Sequence, residues 1–331
     1  MLGSGLGLNK YLYAGELAIP KNLVITSTTA TTISYAWDAS AGVDGYQFGI
    51  YEDAACTVLI ELITIYGAST ATYTWDMTYF QLATDYFGRV YTNFAETVGL
   101  TDRTNWYAKF KYLVGIGANS HLDCMFGDNF TCCTSAYQAR TSLFGKHKST
   151  PSGGWTNANW SNGIGWLQPT GGIGYLLTDF NPSLATYYKR NDAGIYWQQY
   201  IASLSSPYQS QIGSIGNLSG GNDWNAYSLL VLSSGGYWAS INSVKYSLAV
   251  SGITRYNNYQ LTRNNSANFD YKYDSNAGSV TEGSRPPTNT IFLINAAYYN
   301  SGAYEVMDEG SISKCCAFGD STLDSATLFL D

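Results

Sequence analysis

The sequence is short of charge. Only 12% of its 331 residues are Asp, Glu, Lys or Arg, about half of the usual share in soluble proteins. The 17 basic and 24 acidic residues give a net charge of −7, so no basic stripe is available to replace the counterions of a phosphate backbone, and we expect no nucleic acid partner. No apolar run approaches the roughly twenty residues that a bilayer requires, so we expect no membrane insertion either.

Histidine is scarce as well, since the chain contains only His121 and His147. A nucleophilic triad or a Cys/His pair would have to use one of the two. Neither lies in the G-x-S-x-G context of a nucleophile elbow, and His147 lies between two lysines. We therefore predict structural or solvated roles for both histidines, no catalytic residue, and a protein that is not an enzyme.

The carboxylates lack the spacing of a glycosidase. Hydrolysis of a glycosidic bond uses two carboxyl groups about 5 to 9 Å apart. No E-x-D-x-x-E run, which would place them on one strand, occurs in the sequence. The nearest cluster is Glu305, Asp308 and Glu309, for which a solvated turn before the last strand is the favoured interpretation. A capsule- or glycan-cleaving enzyme is the alternative.

Metal-binding patterns are also missing. The sequence has no C-x-x-C or Cys/His ligand spacing and no acidic calcium loop, so we expect neither a metal nor a cofactor. Adjacent cysteines rarely bond to each other, because disulfide geometry strains so short a loop. The six cysteines are therefore interpreted as buried thiols of a chain made in a reducing cytoplasm. They are Cys56, Cys124, Cys132, Cys133, Cys315 and Cys316.

Tyrosine and glycine are abundant in this low-charge chain. The chain contains 29 Tyr and 34 Gly, and aromatic residues make up 15% of it. Aromatic and β-branched residues favour strands, whereas Gly and Asn favour the turns between them. We therefore predict a mainly β chain, long enough for two domains.

The first domain is predicted from short strands that alternate inward and outward positions. These strands are expected at 20–25, 32–37, 45–51 and 86–91. The spacing of Pro20, Trp37, Tyr46 and Tyr86 resembles that of a fibronectin type III domain, which implies a β-sandwich over residues 18–98. Trp37 and Tyr46 are expected in its core.

Residues 1–17 combine glycine with apolar side chains. Glycine keeps a free peptide flexible, and the apolar side chains give it surface to bury when bound. A disordered end is one interpretation; the favoured one is an anchor that is disordered in the isolated protein and adds to a partner's sheet edge. The proposed anchoring residues are Leu2, Leu6, Leu8, Tyr11 and Tyr13.

The second domain is predicted to begin with a helical connector and to continue as strands. Apolar residues recur at Trp106, Phe110, Leu113 and Val114, which is one face of a helix over 99–116. Eight short strands with Gly- and Asn-rich turns then predict a two-sheet jelly roll. The strands are expected at 185–190, 194–202, 227–233, 237–241, 245–251, 267–273, 290–296 and 311–318.

Eight short sequence stretches of the second domain, taken in their order along the chain, carry a resemblance to a known family. They are GLTD at 99–102, GGWT at 153–156, DFNPS at 179–183, ATYYKRNDAG at 185–194, LTRN at 261–264, YKY at 271–273, RPPTNTIFL at 285–293 and AFGDSTLD at 317–324. In this order they resemble a concanavalin A-like jelly-roll domain of virion proteins from tailed bacteriophages, especially crAss-like phages of Bacteroidetes. The resemblance covers residues 99–331.

The resemblance implies a virion structural protein: a head fibre, a decoration protein or a tail-associated adhesion subunit, made in the cytoplasm of a bacterial host. Its partners would be other virion proteins of the capsid, collar or fibre base, and its ligand a glycan of the host surface or of mucus. A purely architectural collar or cement protein without a ligand is a further alternative. The low-charge, Tyr-rich composition favours a homo-oligomer, a dimer or trimer.

One segment has the composition of a sugar site. Trp155, Trp160 and Trp166 are interspersed with Asn157, Asn159 and glycines. Sugar rings stack on aromatic side chains while amide and backbone groups bind the hydroxyls, so this segment is the predicted carbohydrate-binding site. The alternative is that these indoles fill the second core or a subunit interface.

Overall fold

A computed structural model of the chain divides into two compact units, Met1–Gly115 and Ile116–Asp331. The structure describes residues 6–9, 21–40, 45–51, 59–67, 71–78, 104–126, 135–144, 147–168, 174–200, 208–217, 224–226, 229–232, 237–243, 246–248, 256–273, 276–287, 291–294, 297–299, 302–304 and 312–330.

The first unit contains two antiparallel sheets of three strands each, in the orders β1-β4-β5 and β2-β3-β6. The described elements are β1 (Leu6–Asn9), β2 (Val24–Thr28), β3 (Thr32–Ala36), β4 (Gly45–Tyr51), β5 (Leu59–Tyr66), β6 (Thr72–Asp76) and α1 (Thr104–Gly115). Three of the four predicted strands correspond to β2, β3 and β4. The fourth, at 86–91, lies outside the described residues.

Aromatic rings from both sheets form the core of the first unit. Phe48 on β4 is completely buried, and its ring lies 5.0 Å from Tyr35, 5.8 Å from Trp37 and 5.5 Å from Tyr73. Trp37 meets Tyr46 edge to face at 5.4 Å. Alternate residues of a strand share a face, which brings Tyr46 and Phe48 to the same side of β4. The predicted burial of Trp37 and Tyr46 is confirmed.

The helix α1 belongs to the first unit, whereas the sequence places it at the start of the second domain. Phe110 and Leu113 are completely buried, as the periodicity predicts, and α1 packs on β5. Glu61 of β5 accepts hydrogen bonds from Lys111 of α1 at 2.6 Å and from the indole of Trp75 at 2.9 Å. The boundary between the units therefore follows the helix.

The strand β1 corrects one expectation about the first seventeen residues. It pairs antiparallel with β4, with Leu6 opposite Ile50 and Leu8 opposite Phe48. For these four residues the prediction of disorder in the isolated protein is wrong, because the sheet edge that they complete belongs to their own chain. The other proposed anchoring residues lie outside the described part: Leu2, Tyr11 and Tyr13.

The second unit is built from an eight-stranded sheet and a ten-stranded sheet. Its strands are β7 (Leu122–Phe126), β8 (Ser149–Ser152), β9 (Trp160–Ser161), β10 (Gly165–Leu167), β11 (Tyr175–Thr178), β12 (Ala193–Tyr200), β13 (Tyr208–Asn217), β14 (Trp224–Ala226), β15 (Leu229–Leu232), β16 (Tyr237–Ala239), β17 (Tyr246–Leu248), β18 (Tyr256–Arg263), β19 (Asn268–Tyr273), β20 (Asn276–Thr281), β21 (Leu293–Ile294), β22 (Ala297–Tyr299), β23 (Gly302–Tyr304) and β24 (Ile312–Gly319). Its short helices are α2 (Ala136–Ala139) and α3 (Ser325–Leu328).

The two sheets share one core. The eight-stranded sheet has the order β20-β19-β18-β12-β24-β10-β9, with β7 beside β24. The ten-stranded sheet has the order β17-β16-β15-β13-β21-β11-β8, with β14 and β22 beside β13 and β23 beside β22. Side chains of both sheets, such as Trp197 and Ile212, belong to the same buried cluster. The predicted fold class, mainly β, is confirmed. No helix within the described ranges is long and apolar enough to cross a bilayer.

The strand predicted at 185–190 is absent from this part of the structure, which instead contains a 3-10 turn and an isolated bridge before β12. The carboxylate of Asp123 explains the difference. It accepts hydrogen bonds from the backbone N–H groups of Thr186, Tyr187 and Tyr188. These donors are thereby satisfied by a side chain rather than by a neighbouring strand.

We predict that Phe48→Ala lowers the free energy of unfolding of the first unit by about 3–5 kcal/mol, because it empties the centre of the aromatic core. The control is Thr64→Ala on the neighbouring β5, where the side chain is exposed, and its effect should stay within about 0.5 kcal/mol. Chemical denaturation followed by tryptophan fluorescence measures both. Equal effects of the two substitutions would contradict the described core.

Candidate functional site

The predicted sugar segment separates into buried and partly exposed residues. Trp155 is 3% exposed and Trp166 is completely buried, and their rings stack with centroids 5.5 Å apart. Trp155 also lies against the backbone of Gly174, where a Cβ would overlap its indole. These two tryptophans therefore fill the core of the second unit, as the alternative interpretation has it, and offer no ring face to a sugar.

The other members of the segment remain near the surface. Thr156 is the N-cap of the 3-10 turn Asn157–Asn159, and the side chain of Asn159 completes the cap by accepting a hydrogen bond from the backbone N–H of Thr156 at 2.9 Å. Trp160 is half-buried on β9, an edge of the eight-stranded sheet, opposite Trp166. The side-chain oxygen of Asn157 is buried without a hydrogen-bond partner in the described part of the chain. A sugar-binding role for Trp160 and Asn157 stays a prediction.

A second aromatic feature lies towards the opposite edge of the same sheet. Tyr271 and Tyr273 on β19 are both half-exposed, and both pack against the buried cluster of the second unit. Their rings are parallel to within 8°, with centroids 6.1 Å apart. Because they are two residues apart on one strand, they share a face of the sheet. We call these two residues the tyrosine pair.

A glycine on the edge strand β20 makes room for the tyrosine pair. Gly278 lies opposite Tyr271 in the antiparallel ladder, and Asn276 lies opposite Tyr273. A Cβ on Gly278 would overlap the hydroxyl end of the Tyr271 ring, so this ring lies across the bare backbone of β20. Asn276 is exposed and places an amide beside Tyr273. The result is an aromatic surface with a hydrogen-bonding group at its margin.

Stacked rings support the pair from the core. Tyr259 on β18 lies opposite Tyr273, and its ring stacks on Trp197 of β12 at 5.1 Å with only 10° between the planes. Tyr259 and Trp197 are buried. The aromatic row thus runs from the core to the rim of the sheet, so the tyrosine pair rests on close-packed neighbours. Such support holds a binding surface in place before a ligand arrives.

The opposite face of β19 is fixed by an ion pair. Lys272, which lies between the two tyrosines in sequence, binds the carboxylate of Asp324. Asp324 is also the N-cap of α3 and accepts the backbone N–H of Ala326 at 2.9 Å. Partial burial raises the pKa of Asp324, but the hydrogen bonds from Lys272 and Ala326 outweigh it and hold the pKa below its usual value.

The hydroxyl of Tyr273 is neutral at physiological pH. Burial, assisted by the neighbouring hydroxyl of Tyr271, raises the pKa of Tyr273 above its usual value. A phenolic hydroxyl can donate as well as accept a hydrogen bond. The pair combines apolar ring faces with polar tips, which is the combination that sugars require.

Both histidines hold segments of the second unit together. Nδ1 of His121 lies 2.7 Å from a carboxylate oxygen of Asp320, and the backbone N–H of Asp320 donates to the carbonyl of His121 at 2.9 Å. Nδ1 of His147 lies 2.9 Å from Asp179, which also accepts the backbone N–H of Lys148. These contacts join segments distant in sequence, in line with the structural roles predicted for the two residues.

Three of the described cysteines are buried: Cys124, Cys315 and Cys316. Burial, followed by the nearby charges of Asp123 and Asp179, raises the pKa of the Cys124 thiol well above its usual value, so this thiol stays protonated. The described part of the chain contains no group of three His, Cys, Asp or Glu residues that could hold a metal ion. Outside the described residues lie Cys56, Cys132, Cys133 and the predicted carboxylate cluster Glu305, Asp308 and Glu309.

The sequence matches no family model and no curated protein. Among solved structures, the chain is similar to a mutant of Trypanosoma rangeli sialidase displaying trans-sialidase activity, with 7% identity over 92% of this chain and 51% of that chain and a TM-score of 0.49. It is also similar to the CBM40 of the Ruminococcus gnavus IT-sialidase, with 15% identity over 42% of this chain and 81% of that chain and a TM-score of 0.33. The chain spans about half the length of the Trypanosoma enzyme. The likeness is one of β architecture.

The prediction that this chain is not an enzyme is contradicted by the sialidases among these structures. That prediction is drawn from two features that the sequence lacks: a nucleophilic triad, and a run of carboxylates that would lie on a single strand. A catalytic arrangement need not be local in sequence, because a β fold joins distant strands. The contact between His121 and Asp320, which are 199 positions apart, is an example from this chain.

We predict that Asp324→Asn destabilises the second unit by less than about 1 kcal/mol. It removes the ion pair but keeps a capping side chain, and the Lys272 and Asp324 side chains are 37% and 41% exposed. Asp324→Ala, which also loses the cap, should cost about 1 kcal/mol more. Urea denaturation of the three proteins measures these differences.

The pH dependence provides the control. A carboxylate whose pKa is lowered by folding contributes its full stabilisation above the ordinary aspartate pKa of about 4, and loses it as the pH falls through the lowered value. The stability of wild type relative to Asp324→Asn should therefore shrink in acid. A difference that is unchanged at acid pH would show that the charge of Asp324 is not its source.

Proposed function

We propose that the second unit recognises glycan and that the tyrosine pair is its main contact. The observation that carries this proposal is the geometry of Tyr271 and Tyr273: two half-exposed, parallel rings 6.1 Å apart on one strand, supported by buried aromatic neighbours. The apolar faces of sugar rings stack on such surfaces while nearby amides and hydroxyls bind the sugar hydroxyls.

The charge of the chain favours a neutral ligand. The net charge of −7 repels acidic glycans at long range. The cation nearest in sequence to the tyrosine pair is Lys272, which pairs with Asp324 and belongs to the opposite face of β19. The groups at the margin of the pair, its own hydroxyls and the Asn276 amide, are neutral hydrogen-bonding groups. The ligand class is therefore an uncharged oligosaccharide.

The setting proposed for this activity is a bacteriophage particle, as a head fibre, decoration or tail-associated subunit. The support for it is the ordered resemblance of residues 99–331 to phage jelly-roll proteins. In this proposal other virion proteins bind the chain, and the second unit contacts host-surface or mucus glycan. Mass spectrometry of purified particles tests the setting: the chain should copurify with particles at a fixed stoichiometry. Its absence from particles would contradict the virion role and leave the glycan site to be judged separately.

We predict that Tyr271→Ala and Tyr273→Ala each weaken binding to a neutral oligosaccharide about tenfold, since each removes one stacking surface, and tenfold corresponds to about 1.4 kcal/mol. Tyr271→Phe and Tyr273→Phe keep the rings and should retain most of the affinity. A glycan array identifies the oligosaccharide, and isothermal titration calorimetry measures the variants.

The matched control is Trp160→Ala, which removes a half-buried aromatic ring on β9, away from the tyrosine pair, and should leave the affinity unchanged. If Trp160→Ala abolishes binding and the tyrosine variants do not, the site lies in the tryptophan segment instead. The same mixtures are assayed for released reducing sugar, which separates a protein that binds glycan from one that cleaves it. Thermal unfolding confirms that each variant is folded.

A further inference from the structure

We propose that β1 is an exchangeable strand, which in the assembled protein pairs with β4 of a second copy of this chain. In the structure β1 completes the sheet β1-β4-β5 through a four-residue antiparallel ladder on β4. Without β1, the open edge of β4 would present unpaired N–H and C=O groups. Such an edge binds an extended segment, which can come from the same chain or from a second chain.

The register shows that β4 suits this particular segment. Leu6 and Leu8 lie opposite Ile50 and Phe48, both of which are buried. Gly7 lies opposite Gly49, where any side chain would meet the ring of Tyr51. A shift by one residue would set the glycine against the buried positions and the leucines against Gly49 and its neighbours, so the pattern disfavours that shift. The sequence of β1 is thus matched to β4 of this chain, and equally to β4 of an identical chain.

The connection to the next strand permits exchange. Residues 10–23, fourteen in number, separate β1 from β2. A link of this length reaches at most about 50 Å when extended, which is enough to reach a neighbouring copy. The ladder makes the same main-chain hydrogen bonds within one chain and between two. Reciprocal exchange keeps every strand paired, which is why strand swapping is a low-cost route to closed oligomers.

Charge favours a second copy at this particular edge. Each chain carries a net charge of −7, so two copies repel each other at long range. The ladder itself is uncharged, since it consists of Leu6–Asn9 on one strand and residues 47–50 on the other. The exchange surface is therefore one place where two copies can meet without opposing like charges. It is independent of the tyrosine pair, so glycan binding can succeed or fail without affecting this proposal.

The test uses the opposed residues Asn9 and Gln47. Opposed residues of an antiparallel ladder lie at a distance that suits a disulfide. Two full-length chains with different tags, one carrying Asn9→Cys and the other Gln47→Cys, are co-expressed and mildly oxidised. A disulfide between the two new cysteines can form only between chains. Each single variant alone and the wild-type chain, with its six native cysteines, are the controls.

If β1 exchanges, the co-expressed pair yields a covalent heterodimer at twice the 36.1 kDa of the chain, and the controls do not. Light scattering of the wild-type chain should then give a multiple of 36.1 kDa. The double variant Gly7→Pro/Leu8→Pro should reduce it to the mass of one chain, because donors alternate along an antiparallel strand and one of these two N–H groups must face β4. A monomeric wild type, an oligomer that the double proline variant leaves intact, or the absence of the heterodimer would each overturn the proposal.

Discussion

Aromatic rings that lie on bare glycine backbone recur through this protein, and much of its architecture depends on them. The ring of Tyr51 covers Gly49, that of Trp155 covers Gly174, that of Tyr196 covers Gly194 and that of Tyr271 covers Gly278. At each of these glycines an added Cβ would overlap the ring. An aromatic side chain on a strand glycine replaces the packing that the glycine cannot provide and shields its backbone. These contacts give the many Tyr and Gly residues of this low-charge chain, which has 12% charged residues, a common structural role.

The same interaction distinguishes a core aromatic from a surface aromatic. Trp155 and Tyr271 each lie over a glycine, yet Trp155 is buried and Tyr271 is half-exposed. The difference comes from position in the sheets, because Gly278 belongs to the edge strand β20, whereas Gly174 is buried and directly precedes β11, which has neighbours on both sides. The same kind of contact therefore forms part of the core at Gly174 and part of a candidate binding surface at Gly278.

Those features of the fold that depend on local pattern could be predicted from the sequence. Strand alternation identifies β3 and β4 with the burial of Trp37 and Tyr46, and a helical period identifies the buried face of α1. What the sequence misses depends on distant residues. The strand expected at 185–190 fails because Asp123, more than sixty positions earlier, binds its backbone N–H groups.

The candidate site shows the same limit. Composition identifies the segment with Trp155, Trp160 and Trp166 but does not separate the buried rings from the partly exposed one, since burial depends on the second sheet and on Gly174. The tyrosine pair carries a signal in sequence, a Tyr-x-Tyr alternation before a turn and a glycine. The sequence alone does not show that Gly278 lies opposite Tyr271, and without this register the alternation does not predict a binding surface.

Both proposals concern edges of sheets, and the low charge of the chain explains why. Soluble proteins commonly protect edge strands with charged residues such as Lys, or with Pro, and both discourage pairing. The edge strand β20 contains none of these residues, and neither does β4, which would be an edge without β1. One edge is instead overlain by a tyrosine ring, and the other is occupied by a strand of the chain itself. The tyrosine ring and the strand β1 are both uncharged, so neither repels a ligand or a second chain electrostatically. Such uncharged cover protects the sheets from unspecific pairing. In the two proposals, the surface beside β20 still accepts the flat face of a sugar, and β4 still accepts an identical strand from a second copy.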